Sequence, residues 1–131
     1  MIDKLPPQNI EAEQSVLGAI ILDNEALPKA LEMLGSEDFY KDTHRRLYNA
    51  MVGLFEKNEP IDIITLTDYL RKNDELDSVG GISYLSNLAN AVPTSANIRY
   101  HAKIVREKAL LRALIKTATQ ITTEVYEDSR D

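Results

Sequence analysis

Apolar residues recur along this chain at offsets of three and four, the spacing of one face of an α-helix, from the first twenty residues almost to the end. Val16, Leu17, Ile20 and Ile21 form the apolar face of a first helix. Asn9 or a neighbour caps it, and Glu11 and Glu13 fall in its first turn, where the helix dipole favours acids. Met1 to Gln8 is a proline-containing lead-in, expected to pack as an extended arm. Ala26, Leu27, Ala30, Leu31 and Leu34 predict a short second helix stopped by Gly35, after which Ser36 caps a turn holding Phe39 and Tyr40. Asp42 or Thr43 starts the next helix, with Leu47, Tyr48, Met51, Val52, Leu54 and Phe55 inward, and Asn58-Glu59-Pro60 ends it. Ile61 to Ile64 reads as an extended segment. It leads into a helix through Leu66, Tyr69 and Leu70, with Thr65 and Asp68 as an imperfect capping box. Gly80-Gly81 breaks the chain before a helix from about Ile82 to Ala91, which Val92-Pro93 ends.

The last helix, from about Ile98 to Tyr126, would be about 43 Å long at ~1.5 Å per residue. A body of about 100 residues is only about 30 Å across, so part of this helix must project. Two apolar stripes agree with that. Ile98, Ala102, Val105, Ala109 and Ala113 share one side; Leu111, Leu114, Ala118, Ile121 and Val125 share a nearly opposite one, displaced toward the C-terminus. The first stripe serves the body and the second needs another partner. The expected fold is all-α: a compact orthogonal bundle of about five to six helices plus the long projecting helix. Residues 1–97 form the globular part and 98–131 the projecting arm.

Composition narrows the function classes. A chain of 131 residues suits one domain, and the absence of cysteine removes disulfides and thiol chemistry. No apolar run is long enough to span a bilayer and no secretory signal is present, so a cytoplasmic protein without membrane contact is expected. The net charge of −6 argues against a dedicated nucleic-acid grip. Bases concentrate between Ile98 and Lys116 of the last helix, where Arg99, Lys103, Arg106, Lys108, Arg112 and Lys116 meet only Glu107. They do not form one stripe: Arg99, Lys103 and Arg106 share one side and are the candidate nucleic-acid contacts. No aromatic interleaving offers a stacking platform, and a solvated or salt-bridged surface is the simpler reading.

Catalytic motifs are missing. There is no G-x-x-x-x-G-K-[ST] phosphate loop, no H-E-x-x-H and no nucleophile elbow. Two histidines, His44 and His101, give no metal-ligand set, so no catalytic, metal or cofactor residue is assigned. His44 reads as packing or capping at its helix start. Asp38, Asp42, Asp62 and Asp68 read as caps and solvated acids. Tyr48, Tyr69 and Tyr100 are expected in the core, whereas Tyr84, just past the glycine pair, is a candidate partner contact.

Four segments in order carry a family likeness. They are L-P-P-Q-N-I-E-A-E-Q-S-V-L-G-A-I-I-L (Leu5 to Leu22), F-Y-x-x-x-H-R-R-L-Y-N-A-M (Phe39 to Met51), P-I-D-I-I-T-L (Pro60 to Leu66), and GG-x-x-YL-x-x-L…VP-[ST]-x-x-N-[IV]-x-x-Y, which runs into I-V-R-E-K-x-L-L-R-x-L-I. Together they resemble the N-terminal domain of the bacterial replicative hexameric DNA helicase, the DnaB type. The likeness implies a collar domain that assembles with itself, as dimers within a hexamer, and recruits a DnaG-type primase through that enzyme's C-terminal domain. A helicase loader is a further partner, and direct DNA contact is weak or absent. It also implies that ATP and Mg²⁺ belong to a separate motor domain, with none bound here. The long helix would be the first arm of a helical hairpin, and Glu127 to Asp131 would fall where the second arm begins, so the chain reads as stopping short of that arm, a linker helix and the motor. His101 departs from the family pattern, which has a second Tyr there. Partner or subunit contacts are expected at Tyr84, Leu111, Leu114, Ile115, Ala118, Ile121 and Val125. The alternative is an independent DNA-binding module using residues 99–116.

Overall fold

Helix α1 (Ile10–Leu22) is where the sequence pattern and the packing meet most directly. Asn9 caps it by accepting a hydrogen bond from the Ala12 amide at 2.9 Å. Val16, Leu17 and Ile20 are wholly buried, each contributing about 1.5–3 kcal/mol of gross hydrophobic stabilisation. The computed structural model describes residues 5–129. Met1 to Lys4 of the expected arm, and Arg130 and Asp131, lie outside that range. Five further helices follow, α2 (Ala26–Leu31), α3 (Asp42–Glu56), α4 (Ile63–Lys72), α5 (Gly81–Ala89) and α6 (Ile98–Asp128). Short 3-10 turns occur at Ser36–Asp38 and Asp77–Val79, and no strand occurs among the described residues. The all-α expectation holds.

α1 runs through the centre, packed chiefly on α6 and α5. At Gly18 the two backbones come so close that a Cβ would collide with the Leu88 carbonyl of α5. α3 and α4 pair beside this centre, with Leu47, Tyr48, Met51, Leu54, Leu66 and Leu70 in one continuous core. Asn24 joins the α1–α2 turn to the segment before α4: its Nδ2 donates to the Ile61 carbonyl at 2.8 Å and its Oδ1 accepts from the Ile61 amide at 2.9 Å.

The start of α4 corrects the sequence expectation. Ile63 and Ile64 are helical, and the cap is Asp62, whose Oδ1 accepts from the Thr65 amide at 2.8 Å while Thr65 Oγ1 accepts from the Asp62 amide at 2.9 Å. An acidic side chain at the cap, answered by Thr65 three positions on, completes the reciprocal box earlier in the chain than Thr65 and Asp68 would. β-branching at Ile63 and Ile64 suggested an extended chain, but a well-capped helix overrides that weak local preference. α5 starts one residue earlier and ends two earlier than expected, after Gly80 turns the chain at φ 102°, a left-handed value that suits glycine.

α6 has 31 residues, about 46 Å at ~1.5 Å per residue. Only Ile98, Ala102 and Val105 are buried. Ala113, expected on the body-facing stripe, is exposed, and so is every described residue after it. Among the described residues no helix is long and apolar enough to cross a membrane.

Candidate docking surface and the network behind it

The distal half of α6 presents its second stripe to solvent. Leu111 is 44% exposed, Leu114 65%, Ile115 54%, Ile121 57% and Val125 61%, and Ala118 is exposed between them. These residues form one long apolar face because they repeat at three and four along a single helix. Nothing among the described residues covers it. Single exposed apolar side chains are ordinary, but a helical row of this length marks a surface awaiting a partner.

Tyr84 stands elsewhere, on α5, among side chains of α1 and α3. Its half-buried ring borders a shallow hollow of about 240 Å³ between α1 and α5, lined also by Glu11, Gln14, Ser15 and Asn87. Its hydroxyl is the outer end of a buried polar chain. Tyr84 Oη lies 2.6 Å from His44 Nε2, and His44 Nδ1 lies 2.7 Å from Glu13 Oε1. Glu13 also accepts from the Tyr40 amide at 2.6 Å and the Lys41 amide at 3.4 Å, while Gln14 Nε2 donates to Tyr84 Oη at 3.2 Å. One set of directions satisfies the chain throughout: Nδ1–H donates to Glu13, the Tyr84 hydroxyl donates to Nε2, and the Gln14 amide donates to the Tyr84 oxygen. The carboxylate thus holds the backbone just ahead of α3, whose N-cap residue Lys41 supplies no side-chain cap.

His44 therefore packs, as the sequence suggested, and its ring stacks on Tyr84 at 6.0 Å between centroids. Glu13 was missed. Its place in the first turn marks it as an acid complementing the helix dipole, yet it is only 1% exposed. One signal was available: Glu13 sits at three, four and seven positions before Val16, Leu17 and Ile20, squarely on the buried face.

The three arginines of α6 are engaged within the chain. Arg106 reaches Asp38 at 2.9 Å, and Arg99 reaches Glu32 at 3.3 Å on an exposed surface. Arg112 donates to the Pro7 carbonyl at 2.8 Å and the Asp38 carbonyl at 2.7 Å, with its guanidinium 5.5 Å from the Tyr40 ring centroid. Lys103 is exposed. The salt-bridged reading fits this arrangement better than a nucleic-acid stripe. Asp42 pairs with Arg46 and Asp68 with Lys72, so these acids act as the sequence suggested. Tyr48 is buried and donates to the Leu34 carbonyl at 3.0 Å; burial, then the charges of Asp38 and Glu37, push its phenol upward. Tyr100 corrects its expectation: it is 73% exposed, because it falls between the buried positions Ile98 and Ala102. Among the described residues no cluster of His, Cys, Asp and Glu could hold a metal ion.

A family model for the DnaB-like helicase N-terminal domain matches residues 5–107. The chain belongs to that family. Its match spans the Glu13–His44–Tyr84 network and ends at Glu107, before the exposed stripe of α6 begins. Replicative DNA helicase DnaC of Bacillus subtilis (strain 168) is 56% identical over 124 residues, covering 95% of this chain and 27% of the relative. The DnaB-like domain thus spans about a quarter of the length of such curated relatives. Among solved structures, the N-terminal domain of DnaB helicase from Mycobacterium tuberculosis superposes with a TM-score of 0.91 at 42% identity, over 93% of this chain and 85% of that one. A structure of a DnaB-like replicative helicase and its interactions with primase superposes at 0.79, with 30% identity over 90% of this chain and 28% of that one.

Proposed function

We propose that this DnaB-like domain is a collar: it assembles with copies of itself and recruits a DnaG-type primase through the C-terminal domain of that primase. The observation that carries this reading is the uncovered apolar face of α6 from Leu111 to Val125. Such a face gains free energy only when another surface removes it from water. The similar helicase whose structure concerns its interactions with primase supports the choice of partner. No bond is made or broken in this domain; ATP and Mg²⁺ act in the motor domain of the parent helicase.

Tyr84 and the α6 residues Leu111, Leu114, Ile115, Ala118, Ile121 and Val125 are the proposed contacts. The test is calorimetric titration of the chain with the C-terminal domain of its cognate primase. Ile115→Ala and Ile121→Ala should each weaken binding at least about fivefold, the effect of losing about 1 kcal/mol at an interface. Both side chains are more than half exposed, so thermal melting should stay unchanged. Unaltered affinity in both variants, or a silent titration repeated with a longer chain that extends past residue 131, would sink the proposal.

A further inference from the structure

Ile64, in the first turn of α4, is 80% exposed, more than any other large apolar side chain among the described residues. It stands as a ridge between two hollows. One, about 460 Å³, is lined by Ile21, Ile63 and Asp62; the other, about 330 Å³, has Leu54, Tyr69, Lys57 and Glu59 in its walls. Leu22, 49% exposed, ends α1 beside the Asn24 side chain that binds Ile61 on both sides. These residues lie on different elements from the α6 stripe.

The surroundings are acidic. The two segments joined through Asn24, residues 22–25 and 56–68, carry Asp23, Glu25, Glu56, Glu59, Asp62 and Asp68 against Lys57 alone. Lys72 enters from the far end of α4 and is held by Asp68 at 3.0 Å, and Lys57 lies 5.4 Å from the Tyr69 ring centroid. An apolar ridge with hollows on both sides is the shape that receives the apolar face of a helix. The charge around it then selects the flanks of that helix.

We propose that the Ile64 ridge is a docking surface for a basic amphipathic helix of a different protein, with apolar side chains entering the two hollows and Lys or Arg facing the acidic rim. Charge decides between occupants. A second copy meeting this patch with the same patch would set acid against acid, as an isologous contact requires. Nucleic acid and anionic membrane are repelled for the same reason. The α6 stripe of another copy is poorly suited, because its distal half, residues 113–128, carries Glu124, Glu127 and Asp128 against Lys116 alone.

The test uses the whole chain with methyl-labelled isoleucine, titrated with an amphipathic helical peptide of Leu and Lys and with its Leu/Glu counterpart. The Leu/Lys peptide should shift the Ile21, Ile63 and Ile64 methyl resonances, more weakly as salt rises. Ile64→Asn should weaken its binding at least about tenfold without changing the melting temperature; Ile64→Ala serves the same end should Asn disturb the fold. The Leu/Glu peptide should leave these methyls unmoved. The proposal is overturned by shifts confined to Ile115 and Ile121, by equal binding of the Leu/Glu peptide, or by the same three methyls moving when the protein alone is diluted, which would make the occupant a second copy.

Discussion

Replacing Glu13 by alanine tests the buried network at its most connected point. The carboxylate accepts from the Tyr40 amide at 2.6 Å and His44 Nδ1 at 2.7 Å, and His44 is wholly buried. A methyl group leaves both donors in a site that water does not reach. Each hydrogen bond to a charged group contributes about 1.5–3 kcal/mol, and a buried donor left without its acceptor costs about 1–3 kcal/mol. The Tyr40 amide cannot reorient without moving the start of α3, so about 4 kcal/mol is expected for Glu13→Ala, which strands two donors. A domain of this kind has a total stability of only about 5–15 kcal/mol. At about 3–5 °C per kcal/mol for this chain length, the melting temperature should fall by about 12–20 °C. Glu13→Gln should behave differently. Its carbonyl oxygen can still accept from Tyr40, and its amide can donate to Nδ1 if the imidazole takes its other tautomer, the Tyr84 hydroxyl turns and the Gln14 amide flips. That reversed chain keeps the Tyr40, His44, Tyr84 and Gln14 bonds and gives up only the long Lys41 amide contact of 3.4 Å, so the cost should be about 1–2 kcal/mol. Urea denaturation followed by far-ultraviolet circular dichroism measures both, and a double-mutant cycle with His44→Ala should give a coupling of at least about 1 kcal/mol. Stability of Glu13→Ala within about 1 kcal/mol of wild type, or equal loss in the Gln and Ala variants, would refute the reasoning.

Three further outcomes are expected. Gly18→Ala places a methyl group against the Leu88 carbonyl, which is backbone and cannot swing aside; the loss, read from thermal melts, should reach the upper end of the usual overpacking cost of about 1–3 kcal/mol. Asp62→Ala removes the cap of α4 and should lower stability in urea by about 1 kcal/mol, with Thr65→Ala acting in the same direction because both belong to one box. Tyr48 has its phenol pushed up by burial, so its contribution is fully present below the unfolded value of about 10 and is lost as pH rises beyond it, by up to about 1.4 kcal/mol per pH unit. Tyr48→Phe should flatten that alkaline decline in urea melts between about pH 10 and 11, even though the variant is less stable at neutral pH for want of a donor to Leu34.

What could be read from the sequence was what local periodicity encodes. The buried face of α1, the Asn9 cap and the two opposed stripes of α6 all follow from spacing along one helix. The misses share a different cause. Glu13 meets His44 and Tyr84 at 31 and 71 positions' distance in sequence, and no periodicity tells which polar side chain will be drawn inside. Arg112 repeats the lesson. It lies seven residues after buried Val105 and three after half-buried Ala109, so it continues the body-facing row better than Ala113 does. Its charge nevertheless suggested solvent, because the Pro7 and Asp38 carbonyls that receive it are set by tertiary packing. Tyr100 failed in the opposite sense: an aromatic ring was presumed inward where the helix turns that position out.

Arg112 also fixes a pivot. Sixteen residues of α6 follow it, from Ala113 to Asp128, a lever of about 24 Å at ~1.5 Å per residue. Tilting that lever by about 10° would carry its tip about 4 Å, the whole reach of an apolar contact at ~4–4.5 Å. The aim of the distal half of α6 is thus decided near the fulcrum, by two carbonyl oxygens and the face of Tyr40. Small strains there are magnified at the tip into the difference between touching a neighbour and missing it.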